Sequence, residues 1–128
     1  MRVANIDLIN ATPVALNANR NLDKILVSNI LYASIQLVVS ATVNVTFKLQ
    51  VSNDSAENQL YGQSSSTQLT PTNWDDYPNS SISSTDAGVI TWNIADIGFT
   101  WLRVVFTDAS GASSTGSITS ARASLKGA

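Results

Sequence analysis

Four consecutive residues, Trp74, Asp75, Asp76 and Tyr77, are the part of this chain whose types could most readily do chemistry. An aromatic platform beside carboxylates suits a sugar, whose apolar face stacks on a ring while its hydroxyls bond to the acids. The same cluster has a plainer reading, in which Trp74 plugs one end of a sheet structure and the two aspartates are solvated. Asp75 and Asp76 with Asp54 could also supply oxygens to a hard cation such as calcium, but their spacing fits no known calcium loop, and solvated turn aspartates are the better reading. A pair of these carboxylates for glycoside hydrolysis lacks any supporting spacing. The chain contains no histidine and no cysteine. That removes the usual general base, the thiolate nucleophile, imidazole and thiolate metal ligands, and disulfides. The expectation is a protein that is not an enzyme, with no catalytic residue, no metal and no cofactor.

The elements that must position this cluster read as strands. From Thr42 to Val51 the apolar residues Val43, Val45, Phe47, Leu49 and Val51 alternate with Thr42, Asn44, Thr46, Lys48 and Gln50. Period two describes a strand with one face in a core and the other in water. At 100° per residue a helix would scatter those five groups around its cylinder. Ser52-Asn53-Asp54 then closes the strand with turn-forming side chains.

Residues 3–9 read as a short first strand at an edge, broken by Thr12-Pro13, with Val14 and Leu16 in a further short piece. Asn17 to Lys24 reads as a loop. Residues 25–39 can be sorted onto a helical face, yet Ala33, Ile35, Leu37 and Val39 alternate and β-branched residues dominate, which favours two β segments, 24–29 and 31–39. Ser40, Ala41 and Thr42 would turn the second of these into the 42–51 strand as a hairpin. Ser55 to Asn73 is a long polar insert, of a kind that is functional, an assembly contact or mobile. Ser81 to Thr85 reads as a short polar strand.

Val89 to Ile94 is a strand that Asp96-Ile97-Gly98 turns into Phe99 to Thr107. Bulky groups occupy both phases of that second strand, as in a central strand covered on both sides. Trp92 and Trp101 belong to the core. Arg103, in the phase of Trp101 and Val105, must reach an edge or meet a carboxylate, with Asp54, Asp75 and Asp96 as candidates. After a glycine-serine turn, Ser117 to Leu125 is a last strand with Ala121 and Ala123 facing inward. These signals add up to a single all-β domain, 1–128: an antiparallel two-sheet β-sandwich, jelly-roll-like, of about eight short strands.

Composition narrows the partners. Charged residues are 12% of the chain, about half the usual share, and 30 serines and threonines take their place. Such a surface suits broad contact with other protein better than long-range steering. The net charge of −2 leaves no basic patch for a phosphate backbone, so no nucleic acid is expected. No apolar run approaches a membrane-spanning length, and Met1 to Asp7 meets polar residues too early for the apolar core of a secretion signal. Synthesis and assembly in a cytoplasm are therefore expected.

Several short pieces resemble a recurring pattern: Tyr32-Ala-Ser-Ile-Gln36, Phe47-Lys-Leu-Gln-Val-Ser-Asn-Asp54, Thr72-Asn-Trp-Asp75, Val89-Ile-Thr-Trp92, and Trp101-Leu-Arg-Val-Val-Phe-Thr107 with Gly111. The pattern is similar to that of small β-sandwich structural proteins of tailed bacteriophages, over residues 30 to about 127. The Ser55 to Pro71 insert departs from it. The resemblance implies a virion component, a capsid decoration or auxiliary protein or else a tail or neck part, whose partners are other virion proteins. It implies a homo-oligomer, a trimer by the three-fold symmetry of virion lattices, made in a host cytoplasm and located in the virion. A carbohydrate-binding module that uses Trp74 and Tyr77 on a host glycan is the alternative.

Overall fold

The computed structural model describes residues 3–16, 19–28, 30–40, 45–54, 71–84, 87–108 and 116–127. Within them the chain forms eleven strands: β1 (Val3–Asp7), β2 (Val14–Ala15), β3 (Arg20–Asn21), β4 (Ile25–Leu26), β5 (Ile30–Ser40), β6 (Val45–Ser52), β7 (Asp75–Asp76), β8 (Ile82–Ser84), β9 (Gly88–Ile94), β10 (Trp101–Asp108) and β11 (Ser117–Gly127). One sheet runs β1-β11-β5-β9, with β2 also on β11. The other runs β3-β10-β6-β7, with β4 also on β10 and β8 also on β6. Every pairing is antiparallel.

The short pieces belong together in twos. β1 and β2 lie along one side of β11, β3 and β4 along one side of β10, and β7 and β8 along one side of β6. Taking each broken edge as one strand leaves four positions in each sheet, in chain order 1-8-3-6 and 2-7-4-5. That is the strand order of a jelly roll. Three of the four edges are thus interrupted, and β9 is the continuous one.

The core lies between the sheets and follows the alternation in the sequence. Ala33, Ile35, Leu37 and Val39 of β5 are buried, as are Val45, Phe47 and Leu49 of β6 and Leu102, Val104 and Phe106 of β10. Phe47 and Phe106 are directly opposite in register, with ring centroids 6.0 Å apart. Each such fully buried side chain contributes about 1.5–3 kcal/mol by leaving water. On β11 the inward phase changes from Ile118 to Ala121 and Ala123, because a bulge inserts one residue between Ile118 and Ser120.

Two of the expected turns are crossings instead. β5 and β6 lie in different sheets, so the 31–39 and 42–51 segments are not a hairpin. β5 takes its ladder partners from β11 and β9, and β6 takes its from β10, β7 and β8. Alternation reports which face of a strand is buried and is silent on which strand lies beside it. β9 and β10 are likewise in opposite sheets, joined through Asp96, whose φ is 55°. The loop expected at 17–24 contains β3, which pairs with Val105 and Phe106. Strand β10 does sit centrally, with Trp101 and Val105 buried on its outward phase as well. Residues 41–44, 55–70, 85–86 and 109–115, which hold the expected hairpin turn, most of the polar insert, Asp86 and the glycine-serine turn, lie outside the described residues.

Candidate functional site

The outward phase of the second sheet carries the candidate cluster. Gln50 of β6 stands between Arg103 of β10 and Asp76 of β7 in register. The Arg103 guanidinium donates twice to Gln50 Oε1, from Nε at 2.9 Å and Nη2 at 2.7 Å. Gln50 Nε2 passes a bond on to Asp76 Oδ1 at 3.0 Å, and Lys48 Nζ pairs with Asp76 Oδ2 at 3.0 Å. The Gln50 and Lys48 bonds hold the Asp76 carboxyl below the usual range. Over this row lies Trp74, whose ring centroid is 4.2 Å from the Arg103 guanidinium carbon. Its indole N–H donates to the Pro71 carbonyl at 3.2 Å.

Asp54 sets the path of the segment that carries Trp74. Its Oδ2 accepts the backbone N–H groups of Thr72 at 2.6 Å and Asn73 at 2.9 Å, and its Oδ1 accepts Asn73 Nδ2 at 3.0 Å. These bonds, led by the Asn73 side chain, lower its carboxyl from the ordinary value. Trp101 Nε1 donates to the Asp54 carbonyl at 3.1 Å, which ties the same turn to β10.

The gap between β7 and β8 is closed by Ser80, which with Ser52 is one of two buried polar side chains among the described residues. Tyr77 N–H donates to Leu49 O at 2.8 Å, and the chain then turns through Asn79, whose φ is 60°. Ser80 Oγ accepts the Leu49 N–H at 3.0 Å and donates to Tyr77 O at 2.7 Å. A hydroxyl thus stands in for a ladder carbonyl. Across the core, the indole N–H of Trp92 donates to Ser80 O at 2.9 Å.

The expected cluster is therefore divided. Trp74 and Asp76 share the outward row, whereas Asp75 and Tyr77 have the opposite phase. Tyr77 packs edge-on against Phe99 at 5.8 Å, partly buried at the margin of the core. Asp75 is exposed and its Oδ1 accepts the Asp76 N–H at 2.9 Å. Among the described residues, Asp54, Asp75 and Asp76 do not converge on a cation position. Arg103, expected to reach an edge or meet a carboxylate, meets the Gln50 amide and the Trp74 ring. Burial lowers its pKa, and the carboxylate of its row is taken by Lys48 and Gln50.

Sequence reasoning missed Gln50, Lys48 and Ser80 as organisers. Gln50 and Lys48 had one usable signal, polar length on the outward phase of an amphipathic strand. Ser80 had none. The pieces Gln50 to Asp54, Thr72 to Asp75 and Trp101 to Thr107, distant in sequence, all meet at this one corner. Chemically the corner is a satisfied network that fixes the 71–80 edge on the sheet.

No family model matches the chain, and no curated protein matches it. Solved structures do match. The SPBc2 prophage-derived protein YomS superposes with a TM-score of 0.55 at 9% identity, over 97% of this chain and 92% of YomS. What is shared is the fold. The infectious bursal disease virus VP2 subviral particle matches with a TM-score of 0.54 at 12% identity, over 98% of this chain. This chain covers 32% of that protein's length. A structure of the Gt strain of the same virus gives 0.52 at 12% identity, with the same coverage.

Proposed function

We propose that this chain is a non-enzymatic structural component of a bacteriophage virion, a capsid decoration or auxiliary protein docked on the particle as an oligomer. The observation that carries the reading is the jelly roll itself, matched along almost the whole of both chains by a prophage-derived protein. The same sandwich matches part of a viral particle protein. The physical character of the surface agrees. Low charge suits a lattice contact, where each buried unpaired charge would be costly.

The contact surface in this reading is the 71–80 edge with Trp74, Asp75, Asp76 and Tyr77. Asp54, Gln50 and Ser80 hold it in one geometry before any partner arrives, which lowers the ordering cost of docking. Asp75, at the rim of β7, is exposed and free of any ion pair among the described residues. The partners are other virion proteins, and a trimer on a three-fold position is the expected assembly.

Cryo-electron microscopy of purified particles tests this. The expected result is density for this sandwich at regular, high copy number on the capsid, lost with Asp75→Arg. Density confined to the neck or tail replaces the decoration reading with a tail or neck component. Particles that lack the chain altogether refute a virion role.

A further inference from the structure

The other sheet presents an outward face that nothing above uses. Its strands register in rows. Asn5, Ser124, Ser34 and Asn93 form one row across β1, β11, β5 and β9. Lys126 and Tyr32 form the row on one side, and Asp7, Arg122, Gln36 and Thr91 the row on the other. The middle row has the shortest side chains, so the face dips where the strands cross it. A cavity of about 450 Å³ lies between this row and Tyr32 with Lys126. A second, of about 470 Å³, lies between it and Gln36 with Arg122. Ser34 and Ser124 line both, so the two hollows are one trough.

The groups around the trough are free to meet a ligand. Arg122 and Lys126 are exposed, and among the described residues neither forms an ion pair or side-chain hydrogen bond. Arg122 faces Asp7 in register, yet among the described residues the two form no ion pair, and the Asp7 oxygens accept the N–H groups of Ile9 and Ala11 instead. Tyr32 is 46% exposed, the most exposed aromatic ring among the described residues. The two cations stand four residues apart on one strand, roughly 13 Å at the usual rise.

We propose that this trough binds an acidic oligosaccharide, a linear chain bearing carboxylates, laid along the strands. The charge arrangement selects the anion: two unpaired cations mark the ends of the trough on a chain whose net charge is −2. The floor suits a sugar: the hydroxyls of Ser34 and Ser124 and the amides of Asn5 and Asn93 both donate and accept, as ring hydroxyls require, while Ala33, Ile94 and Ala95 give the Tyr32 end an apolar strip against which a ring can lie. Tyr32 supplies a stacking face at one end. A peptide strand would pair along the open β9 edge, whereas both cations lie on β11, inside the sheet. The proposal stands on the first sheet alone and is independent of any place on a particle.

Titration calorimetry and amide-shift mapping on the isolated protein test it, with a galacturonic acid hexamer, a hyaluronan hexasaccharide and neutral maltohexaose as probes. At least one acidic probe binds, with shifts at Ser34, Asn93 and Ser124 and weakening as salt is added. The Arg122→Gln/Lys126→Gln pair weakens binding by about tenfold or more, and Tyr32→Ala by several-fold. Arg20→Gln, which removes a cation from the opposite sheet, leaves it unchanged. The proposal is overturned if neither acidic probe binds at millimolar concentration, if maltohexaose binds as well as they do, or if the folded double variant keeps wild-type affinity. A particle map without this chain would remove the virion role and leave these titrations standing.

Discussion

Ser80→Ala removes one oxygen and should cost more than its size suggests. Ser80 is buried and its hydroxyl is the acceptor for the N–H of Leu49, itself fully buried on the central β6 strand. Without it that N–H has neither a ladder partner nor water. An orphaned buried donor costs about 1–3 kcal/mol, and the short bond to Tyr77 O is lost with it. Tyr77 O keeps a weaker bond from the Ser80 N–H at 3.3 Å, which limits that second loss. We expect a loss of about 2–3 kcal/mol. For a domain of this size that is a fall in Tm of roughly 6–12 °C. Urea and thermal unfolding of wild type, Ser80→Ala and the exposed neighbour Ser81→Ala provide the assay. Ser81→Ala should lie within about 0.5 kcal/mol of wild type. A Ser80→Ala variant as stable as Ser81→Ala would refute the idea that this hydroxyl completes the β6 ladder.

Three further outcomes are expected. Arg103→Ala loses the doubled bond to Gln50 and the Trp74 contact, for about 1–2 kcal/mol in urea unfolding, above the 0–1 of a surface ion pair; an unchanged midpoint rejects this. Asp54 and Asp76 have carboxyls lowered in the fold, so their contribution is complete above the ordinary carboxylate pKa of about 4 and is lost as pH falls through the lowered values. The midpoint should therefore drop below about pH 4, and by less in the Asp54→Asn/Asp76→Asn pair; equal drops would contradict the assignment. Ala11 has φ 58°, a left-handed conformation in the turn between β1 and β2, so Ala11→Gly should gain about 0.5 kcal/mol, and a loss in the same measurement counts against strain there.

How much of this was legible in the sequence depends on what each residue reports. Val45, Phe47 and Leu49 announced a buried face, and Ala121 and Ala123 an inward phase, because alternation is a local property of a strand. That β5 and β6 part into opposite sheets was not legible, since both arrangements bury the same residues. Arg103 illustrates the limit for the site. Its phase could be read, but its partner depends on the β6–β10 register, which is decided by the whole sandwich and places Gln50 opposite it. Ser80 could not be found at all. Its role arises where one edge strand stops and another has not begun, a gap that exists only in three dimensions. Asp75 and Asp76 were legible as exposed acids, while their division between two phases of a two-residue strand was not.

The interrupted edges have a consequence for how copies of this molecule can meet. Strand addition needs a straight run of unpaired backbone, and of the edges built by the described strands β9, seven residues long, offers the longest. Two copies joined through β9 use the same strand on both sides, and that contact closes on itself as a pair. Among the described strands, the edges that each partner then has left are shorter, five residues at β1 and two or three in the other pieces. Growth from the pair into a fibre is thereby disfavoured. A ring of three, in the reading proposed above, would be joined through faces of the sandwich, and its subunits would then separate and re-dock without unravelling a sheet.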